Sequence, residues 1–163
     1  MLSAILMILA GFVVIGLIIV ANAYFVAQEF SFMSVDRTQL RSQAAEGDKT
    51  AQRALAITQQ TSFMLSGAQL GITITGLLIG YVAEPLVGQG LGVLLGGVGV
   101  PSAVSITVGT ILALFISTIA TMLFAELFPK NYTIAAPMKT ARWLASSTPV
   151  SYTPLRAHET VLD

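Results

Sequence analysis

Two carboxylates, Glu29 and Glu126, lie at the ends of long stretches that are otherwise uncharged. Ionisable groups within membrane-spanning segments are costly and usually functional. Between them, polar side chains recur at i, i+4, i+7 and i+11, which is one face of a helix: Ser62, Ser66, Gln69 and Thr73. Helices lying side by side would bring carboxylate, amide and hydroxyl oxygens to a similar depth. Such an oxygen set suits a hard cation such as magnesium better than zinc or copper.

Less specific interpretations remain open for the same residues. Glu29 and Glu126 could be ordinary charges at the inner interface, and the polar face could provide hydrogen bonds between helices. Pro129 lacks an N–H, and its ring clashes with the carbonyl four residues earlier. In an α-helix that carbonyl belongs to Ala125. Either the helix continues with the Ala125 carbonyl free to face an ion, or it breaks at Pro129 and Lys130. The sequence alone favours neither.

The elements that position these residues are predicted to be membrane spans. Of the 163 residues, 55% are hydrophobic and only 10% are charged, which is well below the usual charged share of soluble domains. A span needs about 20 mostly apolar residues. The predicted spans cover 4–28, about 63–83 and 103–128. The segment 85–101 is rich in glycine and proline, which disfavour helix, and is predicted to be a loop or a short re-entrant piece.

The basic residues orient these spans in the membrane. Lysine and arginine favour cytoplasmic segments, and they follow the first and third spans: Arg37, Arg41, Lys49, Arg53, Lys130, Lys139 and Arg142. The fold class is therefore an all-α membrane protein with three spans, the N-terminus outside and the C-terminus inside. The segment 34–60 is predicted to form two cytoplasmic helices, begun by Ser34 or Asp36 and by Asp48. A weak apolar stripe favours their lying along the membrane surface; an ordinary solvated linker is the alternative.

Several function classes are disfavoured by composition. The formal charges cancel, so no basic surface points to nucleic acid. The chain has no cysteine and one histidine, and the spans hold no Ser/His/Asp set, so an enzyme is not expected. Two GxxxG patterns allow close helix approach, either within one subunit or in a dimer: Gly67 with Gly71, and Gly76 with Gly80.

Three segments resemble one known family. These are FVAQEFSFMSVDRTQLRSQAAEGDKTAQRAL, SGAQLGITITGLLIGYVAEP and FAELFPKNYTIAAP, which are similar to the three spans of the CorC/cyclin M magnesium transporters, also called hemolysin-like membrane proteins. The likeness covers about residues 3–145. It implies a homodimer in the plasma membrane, with magnesium bound from the cytoplasmic side between three helices. It also implies magnesium export coupled to sodium entry.

The resemblance also implies a ligand set. Family ligands come from a polar stretch ending at Glu29, from an amide matched by Gln69, and from a Gly-Glu pair matched by Ala125 and Glu126. Ser66, one turn from Gln69, is a further expected ligand. The sequence departs from the family pattern at four places: Val26 and Ala27 replace small polar residues, Gln69 replaces asparagine, and Ala125 replaces glycine.

The resemblance sets the expected domain limits. Residues 1–148 are expected to form the transmembrane domain, and we expect the paired cystathionine-synthase-type nucleotide-binding domains usual in the family to be missing from this chain. From about Pro149 the sequence VSYTPLRAHETVLD no longer resembles the family. Residues 149–163 are expected to be a non-native or disordered tail, with a divergent native tail as the alternative. Magnesium transport is the leading functional hypothesis. Its rival is a membrane anchor or regulatory scaffold for a cytoplasmic domain.

Overall fold

A computed structural model describes residues 2–148 of the chain. Its α-helices are α1 (Leu2–Ser34), α2 (Arg37–Ala45), α3 (Lys49–Gln59), α4 (Thr61–Leu78), α5 (Glu84–Gly97), α6 (Ser102–Ala120), α7 (Phe128–Ala135) and α8 (Pro137–Leu144). Two π-helical segments, Ile79–Ala83 and Thr121–Leu127, join α4 to α5 and α6 to α7. Residue 1 and residues 149–163, which make up the whole of the predicted tail, lie outside the described part.

The chain divides into two compact units. The first unit consists of residues 1–23 and 72–128, and the second consists of residues 24–71 and 129–163. Three helical stretches are long and apolar enough to cross a membrane: Leu2–Ser34, Thr61–Gly97 and Ser102–Ala135. The prediction of three spans is therefore confirmed. Each stretch has at least 33 residues, or about 50 Å at 1.5 Å per residue, so each exceeds a hydrocarbon core of about 30 Å.

Of the two alternatives predicted for 85–101, a loop or a short re-entrant piece, the loop is wrong. Residues Glu84–Gly97 form α5, and only residues 98–101 form the turn into α6, with Gly99 at φ 91°. The glycines of α5 let it lie directly on α6: a Cβ built on Gly109 would meet the Gly88 carbonyl oxygen and the Gly92 nitrogen, each at 2.7 Å. Close backbone approach of this kind is a common use of glycine between membrane helices. Because hydrocarbon supplies no hydrogen bonds to an open backbone, helix is retained despite poor intrinsic propensity.

Each π-helical segment comes just before a proline. The Glu84 N–H bonds to the Ile79 carbonyl, and the Phe128 N–H bonds to the Leu123 carbonyl, which is a five-residue separation in both cases. Pro85 and Pro129 then occupy the second position of α5 and α7, where a missing N–H is tolerated. The third helix therefore continues through Pro129 to Ala135, beyond the predicted end of the span at residue 128.

The two short helices predicted within 34–60 are present in the second unit. Asp36 begins α2, and its side chain accepts hydrogen bonds from the Thr38 and Gln39 N–H groups. Asp48 begins α3 in the same way, directly after Gly47 at φ 92°. Such side-chain caps satisfy N–H groups that the first helical turn leaves unpaired.

The apolar stripe of α2 and α3 packs against protein. Leu40 and Ala51 are fully buried, in a core that also contains Phe32, Met64 and Leu144. Those stripe residues are therefore covered by α1, α4 and α8, whereas the sequence predicted a helix whose stripe lies along the membrane surface.

An ion pair joins the start of α3 to α8. Arg142 Nη2 lies 2.6 Å from Asp48 Oδ2, and Arg142 Nη1 donates to Gln43 Oε1 at 2.7 Å. The hydrogen bond from the Ala51 N–H, together with Arg142 and the Thr50 N–H, holds the pKa of Asp48 below its usual 3.8. The capping carboxylate is thus kept ionised, which is the form that accepts these bonds.

Candidate cation site

The second π-helical segment contains the two residues ranked first by the sequence. Ala125 is fully buried, and Glu126 is exposed on the surface of the single chain. π-helical turns are rare and occur frequently at functional sites. The exposed carboxylate of Glu126 belongs to an otherwise apolar helix, on which Phe124 and Leu127 are also exposed. Because a carboxylate facing hydrocarbon is costly, Glu126 is expected to face water, an ion or another polar surface.

The π-helical register changes which backbone carbonyl is left without a partner by Pro129. In a four-residue register, the carbonyl that faces the missing N–H of Pro129 is that of Ala125. In the five-residue register seen between Phe128 and Leu123, it is that of Phe124. The helix break predicted at Pro129 and Lys130 thus takes the form of a wide turn just before the proline, and the helix itself continues. Ala125 as a carbonyl ligand stays a prediction.

Two buried oxygens of the first unit have no hydrogen-bond partner within the described residues. They are Oδ1 of Asn22 and Oγ1 of Thr121. Asn22 as a whole is only 2% exposed. Burying an unpaired polar atom costs about 1–3 kcal/mol, so each calls for a water or an ion. Neither residue was among the ligands predicted from the sequence. The available signal was that Asn22 interrupts an apolar run just before the FVAQE stretch.

Helix pairing places Asn22 and Thr121 at a similar depth. A Cβ atom built on Gly90 of α5 would meet Ile8 of α1. A Cβ atom built on Gly88 of α5 would meet Thr110 of α6. The residue of α6 opposite Gly90 is therefore close to position 108. Asn22 lies 14 residues after Ile8 and position 122 lies 14 residues after 108, on helices that both run antiparallel to α5. The Asn22 amide is therefore level with the π-helical segment that carries Thr121, Ala125 and Glu126.

The remaining predicted ligands belong to the second unit. Glu29 is half-buried, whereas Ser66 and Gln69 are exposed. The full polar face of α4 is exposed in the single chain: Ser62, Ser66, Gln69 and Thr73. A polar face of this extent suits contact with water or with another subunit better than contact with lipid.

The FVAQE stretch itself offers a different chemistry from that of the family. Val26 is buried and carries no side-chain oxygen. Gln28 is fully buried and donates to Tyr24 Oη at 2.9 Å and to Thr148 Oγ1 at 3.0 Å. The Tyr24 hydroxyl donates in turn to Ser147 at 2.8 Å. Gln28 therefore ties α1 to the residues after α8, a packing role that the sequence did not reveal.

Lys130 and the GxxxG glycines have separate surroundings. The Lys130 ammonium lies 4.8 Å from the centroid of the Phe30 ring, a cation–π distance. Gly71 lies so close to Phe25 that a Cβ there would be 2.6 Å from the ring. No neighbour lies within 4 Å of a Cβ built on Gly76, and only the Glu84 carboxylate lies near one on Gly80. The second GxxxG pair therefore presents an open surface, whereas Gly71 packs within the chain.

A carboxylate that the sequence analysis missed lies at the start of α5. Glu84 Oε1 is 2.6 Å from Oγ of Ser117, a buried residue of α6. The sequence carried a signal, since Glu84 is the only charged residue between Arg53 and Glu126. It was treated as the boundary between two apolar stretches, although the structure places it within one continuous helical stretch.

No group of three or more histidine, cysteine, aspartate or glutamate side chains comes together within residues 2–148. A metal bound by this part of the chain would therefore rely on one or two carboxylates, supplemented by amide, hydroxyl and carbonyl oxygens and by water. That donor set fits magnesium, which keeps several waters when bound to proteins. It does not fit a structural zinc site.

Comparison with known proteins gives one consistent family. The sequence model described as the Cyclin M transmembrane N-terminal domain matches residues 12–155. Similar proteins include the UPF0053 protein MT1890 of Mycobacterium tuberculosis, 44% identical over 72% of this chain and 26% of its own length. The UPF0053 protein YugS of Bacillus subtilis is 33% identical over 86% of this chain and 32% of its own length. The chain thus spans about a quarter to a third of these two relatives.

Proposed function

Because the chain belongs to the cyclin M transmembrane domain family, we propose that it carries magnesium across the plasma membrane as a multi-pass membrane domain. The observation that supports this most directly is the oxygen set of the first unit. A carboxylate, Glu126, stands in a π-helical segment, and two buried oxygens without partners, those of Asn22 and Thr121, lie at the same depth. These are the donors that a hard dication uses.

Charge in the first unit also favours a cation. Residues 2–23 and 72–128 contain no lysine, arginine or histidine, and their only carboxylates are Glu84 and Glu126. No basic side chain of this unit can neutralise Glu126 or repel a dication beside it. We assign the net charge of the site to Glu126, and the neutral oxygens to Asn22, Thr121 and the Ala125 carbonyl. Glu29, Ser66 and Gln69 belong to the second unit, and they remain ligand candidates on the ground of the sequence alone.

The proposal includes an orientation, an assembly and a coupling ion. The lysines and arginines favour an outer N-terminus and an inner C-terminus. What the family resemblance implies completes the proposal: magnesium enters the site from the cytoplasm and leaves outward, with sodium entry as the driving reaction. Two copies are proposed to form a homodimer. The open surface at Gly76 and Gly80 supports this, because small residues allow two helices to approach closely. Light scattering of the purified chain in detergent measures the stoichiometry.

Magnesium titration of purified variants tests the site. Glu126→Gln keeps the shape of the side chain and removes its charge, so we expect magnesium affinity to fall at least about tenfold, or about 1.4 kcal/mol. Asn22→Leu, which removes a neutral oxygen, is expected to weaken binding less. Leu127→Ala, next to Glu126 in the same segment, is the matched control and should bind like the parent. Parental affinity in Glu126→Gln would place the site elsewhere.

The scaffold hypothesis has one observation in its favour. Val26 is apolar and buried at a position where the family resemblance leads one to expect a polar ligand. Proteoliposomes loaded with magnesium and a fluorescent magnesium indicator separate the two functions. Magnesium release above that of empty vesicles, dependent on Glu126, supports transport. Release at the empty-vesicle rate, from chains whose helix content is intact, supports the scaffold.

A further inference from the structure

A cleft in the second unit is lined by two arginines and by no carboxylate. It has a volume of about 480 Å³ and lies between α2, the C-terminal part of α3 and the first turn of α4. Its polar lining includes Arg37 and Arg41 of α2, and Gln60, Thr61 and Ser62 where α3 meets α4. All of these residues belong to the second unit. A cleft whose charged side chains are all of one sign attracts a ligand of the opposite sign, here an anion.

The position of Arg37 is fixed by a hydrogen bond across the cleft. Arg37 Nη2 donates to Thr61 Oγ1 at 3.1 Å, and the Thr61 hydroxyl donates in turn to the Thr58 carbonyl at 2.6 Å. A guanidinium group has five N–H donors, and this bond uses one of them. Because the bond already ties α2 to the start of α4, Arg37 loses little conformational freedom when a ligand binds.

The second arginine has no partner in the described part of the chain. Arg41 lies one helical turn after Arg37, on the same face of α2. It is exposed, and within residues 2–148 it makes neither a hydrogen bond nor an ion pair. The acidic residue nearest to Arg37 in the sequence is Asp36, whose side chain accepts from the Thr38 and Gln39 N–H groups. Both guanidinium charges of the cleft are therefore available to an anion.

The second unit as a whole is basic. Residues 24–71 and 129–148 contain seven lysines and arginines against four aspartates and glutamates, whereas residues 2–23 and 72–128 contain two glutamates and no lysine or arginine. Anions are thus attracted to the second unit. The planar fork of an arginine binds two oxygens of one phosphate group. Among anions, phosphate therefore matches the donors of Arg37 and Arg41 best.

The cleft lies close to the level of the lipid headgroups. A stretch long and apolar enough to cross a membrane begins at Thr61, in the cleft lining. The first large apolar side chain of α4 that is exposed belongs to Leu70, seven residues or about 10 Å after Phe63. The headgroup layer extends about 5–7 Å beyond the hydrocarbon core, so long arginine side chains reach into it. Leu55 and Phe63 add an apolar wall to the cleft, which suits a ligand with both a phosphate and hydrocarbon.

We infer that this cleft binds a phosphate group, that of an anionic lipid in the surrounding membrane. Arg37 and Arg41 bind the phosphate oxygens, the Ser62 hydroxyl donates to an oxygen that they leave free, and Leu55 and Phe63 contact the carbons next to the phosphate. A bound lipid thus holds α2 against the start of the second span. A soluble phosphate compound has the same oxygens, and experiment separates the two sources. The site shares no residue with the proposed magnesium site.

Native mass spectrometry of the full chain in detergent counts the lipids that stay bound. Phosphatidylglycerol should bind more tightly than phosphatidylcholine with the same acyl chains, because its headgroup has a net negative charge. Arg37→Gln and Arg41→Gln should each lower the affinity for phosphatidylglycerol about fivefold. Arg53→Gln is the matched control, since it removes an exposed arginine of α3 that is outside the cleft lining, and it should bind like the parent. Equal losses in all three variants would overturn the cleft as the site.

Modification of arginine in the parent protein gives a second readout that does not depend on the folding of a variant. Phenylglyoxal reacts with accessible guanidinium groups, and mass spectrometry locates the modified peptides. Phosphatidylglycerol vesicles should protect Arg37 and Arg41, but not Arg53, relative to phosphatidylcholine vesicles. Protection by inorganic phosphate without protection by phosphatidylglycerol would overturn the lipid as the ligand, and equal reaction under all conditions would overturn the site. Either result would leave the proposed transport of magnesium unaffected.

Discussion

Gly109→Ala tests the close contact between α5 and α6. A methyl group on Gly109 would lie 2.7 Å from the Gly88 carbonyl oxygen, 2.7 Å from the Gly92 nitrogen and 3.1 Å from the Gly92 Cα. Ordinary contacts of a Cβ begin near 3.4 Å. The substitution would therefore force about 0.7 Å of separation between the two helices. All three atoms belong to the backbone of α5, so no change of side-chain rotamer relieves the overlap.

The expected magnitude follows from two opposing effects. Overpacking of a tight interface costs about 1–3 kcal/mol, and a rigid backbone neighbour places this case near the upper value. Alanine favours helix over glycine by about 1 kcal/mol where the alternative is a solvated chain, but that alternative is missing in hydrocarbon, so this gain is small here. The net expectation is a loss of about 2 kcal/mol in the free energy of unfolding. At Gly16 of α1, where nothing lies within 4 Å of a built Cβ, there is no overlap and the substitution should change the free energy of unfolding little.

The two variants are compared by unfolding in mixed micelles of SDS and a mild detergent, followed by circular dichroism. The difference between Gly109→Ala and Gly16→Ala should be about 2–3 kcal/mol, which is the overpacking cost alone, because the helix preference is common to both variants and cancels. Hydrogen exchange adds a local readout, since faster exchange should be confined to the first unit. Equal unfolding of the two variants would refute the close contact between α5 and α6.

Two further predictions concern the second unit and the orientation. Because the pKa of Asp48 in the folded chain lies below 3.8, the Asp48 carboxylate stabilises the fold above pH 3.8, and this stabilisation is lost as the pH falls through the lowered pKa. Asp48→Asn should remove this acid-dependent loss of stability. The measurement is the midpoint temperature of thermal unfolding as a function of pH. Cysteine at Val98, which is 74% exposed beside the turn of residues 98–101, should react with an impermeant maleimide outside intact cells. Gln52→Cys in α3 should react only after permeabilisation, and the reverse pattern would invert the proposed orientation.

The number of spans was predictable from the sequence because hydrophobic length decides it. Apolar stretches of membrane length are rare outside bilayers, and the charges at Arg37 and Lys130 mark where two of them approach their ends. The caps at Asp36 and Asp48 were predictable for a similar reason. A short acidic side chain after a break accepts hydrogen bonds from the next helical turn, and this depends on local sequence alone.

The error at 85–101 came from applying helix propensities measured in water. Glycine lowers helix stability where the alternative is a solvated chain. In hydrocarbon that alternative is missing, and the glycines of α5 instead remove the side chains that would keep α6 at a distance. Glu84 was missed as a consequence. With Pro85 as the beginning of the predicted segment 85–101, the carboxylate before it fell between two predicted elements and received no role.

The two prolines explain why the carboxylates occupy these positions. Pro85 and Pro129 each follow a π-helical segment, and each segment lies beside a carboxylate, Glu84 or Glu126. A wide turn carries one residue more than an α-helical turn, so it rotates every later side chain by about 100° relative to a regular helix. The direction in which Glu84 faces, toward Ser117, therefore depends on the turn before it. Glu126 lies inside the second wide turn, and its exposure depends on the same feature. In the sequence, the two prolines indicate only interruptions of helices. In the structure, they maintain the wide turns that set the direction of both carboxylates.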